Sequence, residues 1–284
     1  MKIVSGLRCD GALSPTEHEI SAGGMSWHYL EWGDHGPPLV LWHGITSSAR
    51  SWWSVGPFLA GLGFHVFAPD LPGHGQTGDS PGGYAVETTA RLLDSWIAAL
   101  GFDSPIVLGH SWGGINALVY ATLPEAQTRP RAVVLEDPVI MLGADSEAYL
   151  PSFTAGIGME RTEAALAELA AANPRWHDCD VWWKIDSLQH VRRSAVEGFF
   201  RDNAAINVVE RLRTIDVPTE ILVADSEFGS IWKIEHLALV RELVPSSVGV
   251  EVIQGSSHNI HRDSFAPFSM ALGVFVRQFL KPRH

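Results

Sequence analysis

The run GHSWG (Gly109–Gly113) sets one serine between two glycines at the spacing G-x-S-x-G. An apolar stretch, IVL, precedes it, and a helical pattern, GGINALVYATLP, follows. A sharp strand-to-helix turn accounts for that spacing. Residues two before and two after the serine must lack side chains for the elements to approach, and the turn lifts the hydroxyl above the sheet beside helix N-terminal amides. Ser111 is therefore the candidate nucleophile. A serine hydroxyl needs a base. His258, in IQGSSHNIHRD just past the last β-rich run, is the candidate, with His261 as local rival among 13 histidines. Attack on an acyl carbon also needs donors for the oxyanion. In LWHGIT, His43 and Gly44 end another apolar run and place the Ile45 amide toward the site; Trp112, beside the serine, offers a second amide.

Other patterns carry less. PGHG (Pro72–Gly75) reads as a structural turn. WHDCD (Trp176–Asp180) has metal-binding residue types, but no second ligand set stands at a convincing spacing. No nucleotide-binding signature or P-loop is read, so neither a metal nor a cofactor is expected.

The elements that must position these residues alternate along the chain. Short β-rich runs are MSWHYLEWG (25–33), PPLVLWHG (37–44), FHVFAPD (64–70), SPIVLGH, RAVVLEDP (131–138), PTEILVADS (218–226) and VGVEVIQG (248–255). Helical patterns lie between them: Val86 to Leu100 sets Leu92, Leu93, Trp96, Ile97 and Leu100 on one face, and FSMALGVFVRQFL closes the chain. Short apolar strands separated by helices predict a mostly parallel sheet covered on both faces, an α/β architecture. Between RAVVLE and TEILVA the pattern is helical without strand character, far longer than a single crossover needs. Residues 138–213 are read as a helical cap inserted between the sixth and seventh strands of one domain spanning 1–284.

The 284 residues, 46% hydrophobic and 18% charged, describe a globular chain able to bury a large core. A net charge of −12 argues against nucleic acid or an anionic membrane as partner. No apolar window reaches ~18 residues, and the start, MKIVSGLRCDGALSPTEHEI, lacks a leader's apolar region. Cys9 and Cys179 allow a single disulfide, but two free thiols are the first expectation, and the expected localisation is cytoplasmic.

The pieces LWHGITSSARSWW, APDLPGHGQTG, GHSWGG, VVLEDP, VPTEILVADSEFG and GSSHNIHRDSF stand in the order found in the α/β-hydrolase superfamily. The chain resembles its capped, esterase-like branch over roughly residues 25 to 280. The resemblance implies an eight-stranded sheet, Ser111 as nucleophile, His258 as base, and Ile45 and Trp112 as oxyanion donors. The serine disfavours the haloalkane dehalogenase and epoxide hydrolase branches, which carry aspartate there. The family usually takes its acid from a G-x-x-D turn after the strand EILVA. Here Ala224 replaces the glycine, and Asp225 and Glu227 follow. Some relatives, such as the zearalenone lactonases, take the acid from the preceding strand, where LEDP offers Glu136 and Asp137. Asp225 is the first choice, Glu136 the second, Glu227 the third and Asp137 the last.

The expected activity is hydrolysis of a carboxylic ester or lactone through an acyl-enzyme. Related folds also serve as carbon–carbon hydrolases, hydroxynitrile lyases and hormone receptors. The aromatic content suggests an apolar small-molecule substrate contacted by Trp42, His43, Trp182 and Trp183, with Phe199 and Phe200 further along the cap. A monomer or homodimer is expected.

Overall fold

The computed structural model describes residue 9 and residues 13–280. Most of the opening segment read above for a leader lies outside these residues. Eight strands form one sheet: β1 (Thr16–Ala22), β2 (Met25–Trp32), β3 (Pro38–Trp42), β4 (His65–Pro69), β5 (Ile106–His110), β6 (Ala132–Glu136), β7 (Thr219–Ala224) and β8 (Val248–Ile253). Their spatial order is β1-β2-β4-β3-β5-β6-β7-β8. The β1–β2 and β2–β4 pairs are antiparallel, and the others are parallel.

The central strands read as unbroken apolar runs because both their faces are buried. Val40, Val107, Val133 and Leu135 enter one core layer; Leu39, Leu41, Ile106, Leu108 and Val134 enter the other. The first layer packs beneath α2 (Val86–Ala99) and α3 (Trp112–Ala121). The second packs beneath α1 (Val55–Gly61), before β4, and the C-terminal helices.

Between β6 and β7 the chain forms α4 (Leu150–Thr154), α5 (Glu163–Ala172), α6 (Asp178–His190), α7 (Arg193–Asp202) and α8 (Val209–Thr214). After β7 come α9 (Ile234–Leu243), α10 (Ile260–Asp263) and α11 (Phe265–Arg277), the last two beyond β8. Among the described residues no helix is long and apolar enough to cross a membrane.

Two features depart from expectation. Sequence patterning overlooked β1, TEHEISA, an edge strand with little burial and few apolar residues. Its turn into β2 uses Gly23 and Gly24 at φ 58 and 79, the left-handed pair of a tight hairpin. The two cysteines are not free: Cys9 and Cys179 form a disulfide across 170 residues of sequence. Only the tertiary fold, which brings Cys9 against α6, makes that pairing possible. Trp183 adds a hydrogen bond from Nε1 to the Cys9 carbonyl at 3.0 Å.

Candidate active site

The turn from β5 into α3 needs its glycines because backbone meets backbone there. A Cβ on Gly109 would lie 2.2 Å from the Gly113 carbonyl oxygen, and one on Gly113 would lie 2.1 Å from that of Trp42. Between them Ser111 adopts φ 55 and ψ −113, a conformation costly for a residue with a side chain, about 1–3 kcal/mol. The fold supports it locally: the Ser111 amide donates to the Glu136 carbonyl at 2.9 Å, and its own carbonyl accepts from Ile115 at 3.1 Å.

The Ser111 hydroxyl meets His258 Nε2 at 2.9 Å. On the other side of the ring, Nδ1 meets Asp137 Oδ2 at 2.7 Å. Asp137 is fully buried and accepts three further bonds, from the Ala224 amide at 3.0 Å, the Ser230 hydroxyl at 2.7 Å and the Ile231 amide at 3.1 Å. With the Asp137 carboxylate accepting on that side, His258 donates from Nδ1 and leaves Nε2 to accept from serine. Behind the ring, His110 donates from Nε2 to the His258 carbonyl at 2.9 Å. Burial holds the His110 imidazole neutral, well below the usual histidine range.

The carboxylate beside His258 is therefore Asp137, ranked last from the sequence, and the first three choices are corrected. Asp225 is a backbone clip: its Oδ2 accepts from the Gly255 amide at 2.8 Å and its Oδ1 from the Glu227 amide at 3.0 Å, which lowers its pKa. Glu136 is buried on the opposite side of its strand, where it takes both the amide and Nδ1 of His261, each at 2.8 Å. That pairing also removes His261 as the rival base. Glu227 is exposed. The strand register accounts for the placement of Asp137. β5 and β6 are both five-residue apolar strands, and the register pairs His110 with Glu136. The next residues, Ser111 and Asp137, thus leave adjacent strands at one level, and both have positive φ, 55 and 36.

On the oxyanion side, Ile45 and Trp112 line the same cavity as Ser111 and His258. Trp112 opens α3, where an amide has no intrahelical acceptor. Among the described residues neither amide donates to a protein acceptor. His43 does not line that cavity. It is wholly buried, with Nδ1 donating to the Gly44 carbonyl at 2.8 Å and Nε2 accepting the Leu71 amide at 2.9 Å. Burial holds it down to about 4, and burial likewise holds the neighbouring His74 down to about 3.

The cavity over Ser111 measures about 570 Å³. Its walls include Ile140, Met141, Phe153, Phe199, Phe200 and Trp232, with Asp145, Lys233 and His236 among the polar members. Three expected tryptophans are elsewhere. Trp42 is fully buried against Tyr120, ring centroids 5.5 Å apart. Trp182 packs with Leu166, Val181 and Ile185 beneath the Arg161 guanidinium, 4.0 Å from its ring. Trp183 faces Cys9 and Arg50. Trp232 was missed; its Nε1 donates to the Pro138 carbonyl at 2.7 Å, tying the β7 turn to the strand end that carries Asp137.

Two sequence patterns resolve into structural roles. In WHDCD, His177 Nδ1 accepts the Cys179 amide and Asp180 accepts the His177 amide, each at 3.1 Å, which caps α6. GHGQTG (73–78) has G-x-G-x-x-G spacing, which the sequence reading passed over. It wraps the buried Asp70, and a Cβ on Gly75 would lie 2.1 Å from that carboxylate; the next helix begins only at Val86.

The family model described as alpha/beta hydrolase fold matches residues 37–185. N-formylmaleamate deformylase of Pseudomonas putida is 29% identical over 263 residues, 90% of this chain and 95% of the relative. Epoxide hydrolase 2 of Siraitia grosvenorii is 33% identical over 311 aligned residues, covering 92% of this chain and 98% of the relative. The crystal structure of E-2-(acetamidomethylene)succinate hydrolase superposes with a TM-score of 0.79 at 23% identity, covering 92% of this chain and 99% of that one, and shares the fold.

Proposed function

Because the chain belongs to the alpha/beta hydrolase family, we propose that it is a serine hydrolase cleaving a carboxylic ester or lactone of a largely apolar small molecule. The observation that carries this reading is the relay of Ser111 to His258 at 2.9 Å and His258 to Asp137 at 2.7 Å, open to an apolar cavity. Ser111 Oγ attacks the acyl carbon as its proton passes to His258 Nε2. The Ile45 and Trp112 amides receive the negative oxygen of the tetrahedral intermediate. Collapse of the intermediate expels the alcohol, which takes the proton from His258. Water, deprotonated by the same nitrogen, then attacks the acyl-serine, and collapse releases the acid as Ser111 Oγ takes the proton back from His258. Asp137 orients the imidazole and stabilises its charged form. Helices α4 to α8 serve as a cap, contributing Phe199 and Phe200 to the acyl wall.

A second reading has its own support. The deformylase relative acts on N-formylmaleamate, and Lys233 and His236 stand in the cavity wall here. The same relay cleaves an amide when the leaving nitrogen takes the His258 proton, and Lys233 in the wall can meet an anionic group of the substrate. The deciding experiment compares kcat/KM for p-nitrophenyl esters of increasing chain length, a lactone panel and N-formylmaleamate. Medium-chain or aromatic esters and lactones leading by tenfold or more support the first reading. A lead for N-formylmaleamate supports the second. A wild-type enzyme inert to all of these, with Ser111 unlabelled by a fluorophosphonate, refutes both.

A further inference from the structure

The turn that carries Ile45 is held from outside itself. Gly44 to Ser47 closes as a β-turn, the Ser47 amide donating to the Gly44 carbonyl at 3.2 Å. Ile45 and Thr46 are its central residues, and Thr46 stands at φ 57. That left-handed position favours glycine or asparagine; a β-branched threonine keeps it only where its surroundings over-determine it. His74 Nε2 accepts the Thr46 amide at 3.2 Å. From the opposite side, Lys184 on α6 donates from Nζ to the Thr46 carbonyl at 2.7 Å and to its hydroxyl at 2.8 Å. Helix α6 touches the loop again through Ser187, whose hydroxyl meets that of Ser48 at 2.8 Å.

We propose that Lys184 is a positioning residue for the oxyanion pocket: its ammonium, presented by α6, holds Thr46 in its left-handed conformation and so aims the Ile45 amide. The inference rests on the serine-hydrolase reading above. Lys184 does not line the cavity over Ser111, so it acts through the turn and not on the substrate. Its surroundings make the contact sensitive to charge. The Arg262 guanidinium faces it from α10, and the neutral imidazoles of His43 and His74 lie on the loop side. Burial, with Arg262 adding repulsion, brings the Lys184 ammonium down to about 7. A charged donor makes the stronger hydrogen bonds to a carbonyl and a hydroxyl, so the hold weakens as pH rises through that value.

The test compares wild type, Lys184→Met and Lys184→Cys, the last before and after alkylation with 2-bromoethylamine. Alkylation rebuilds an amine of nearly the original reach, and the bridged Cys9 and Cys179 leave the introduced thiol as the target. The readouts are kcat and KM on p-nitrophenyl butyrate and the rate at which a fluorophosphonate labels Ser111, since phosphonylation places an oxygen in the same pocket. The expected result is a 10- to 100-fold loss in kcat and in labelling rate for both variants. KM should stay within twofold, and alkylation should recover at least half of the loss. Unchanged rates, or no recovery on alkylation, overturn the role of Lys184. Wild type that neither turns over nor labels at Ser111 overturns the underlying reading as well. Should the variants fail to fold, the wild-type profile decides: kcat falling between pH 7 and 9 while the melting temperature holds supports the role, and a flat kcat overturns it.

Discussion

Asp137 owes its position to donors contributed by other parts of the chain. Ala224, Ser230 and Ile231 belong to the end of β7 and its turn, where the sequence suggested a carboxylate would be. The turn supplies hydrogen bonds and β6 supplies the carboxylate. Asp137→Asn should lower kcat by about four orders of magnitude, because the amide favours the wrong imidazole tautomer. Asp225→Asn should keep kcat within threefold and lower the melting temperature, since it weakens a clip between two turns. A severe kinetic loss in Asp225→Asn, with Asp137→Asn mild, would reverse the assignment. Ser111 and His258 were legible because each sits in a locally distinctive setting: a glycine-framed turn, and the loop after the last strand. The carboxylate beside His258 was not, because which of two adjacent carboxylates faces the imidazole depends on how β6 ends, and a positive φ at an aspartate leaves no mark on the sequence.

The central strands and most helices were legible because burial on both faces leaves apolar runs that a covered parallel sheet uses, whereas the exposed edge strand β1 leaves none. The cavity was not, because an aromatic residue reads the same whether it lines a pocket or fills a core. Trp182 and Phe200 show the difference. Trp182 belongs to a small cluster within α5 and α6, whereas Phe200, on α7, pairs with Phe153 at 5.2 Å across the cavity wall. Phe200→Ala should alter ester chain-length preference at least fivefold. Trp182→Ala should leave preference unchanged and cost stability, about 3–5 kcal/mol if the space does not collapse and less in proportion to its residual exposure. Preference profiles and thermal melts on the two variants check this; the opposite pattern would return the pocket to the tryptophans.

The molecule as a whole stores neutral histidines. His43 and His74 each donate through Nδ1 and accept through Nε2, so neither has room for a second proton. Their folded pKa values, about 4 and about 3, lie below the ordinary 6.5, and that of His110 lies well below it. The stability they confer is therefore full above pH 6.5 and lost as pH falls toward 4 and then 3. At pH 5 unfolding should take up one proton at each, near 1.4 kcal/mol per pH unit per histidine. Urea titrations at pH 5 and pH 6 measure that slope, and a slope below one proton contradicts it. The Cys9–Cys179 bridge governs a different kind of load. Under tension applied from before residue 9 and after residue 280, the force bypasses everything between the two sulfurs. Ser111 and Asp137 lie inside that shielded stretch and His258 outside it, so stretching strips the imidazole from its partners without pulling on the stretch that carries them. In an optical trap, a reductant should lengthen the fully extended chain by roughly 600 Å, the reach of the 170 bypassed residues at ~3.5 Å each.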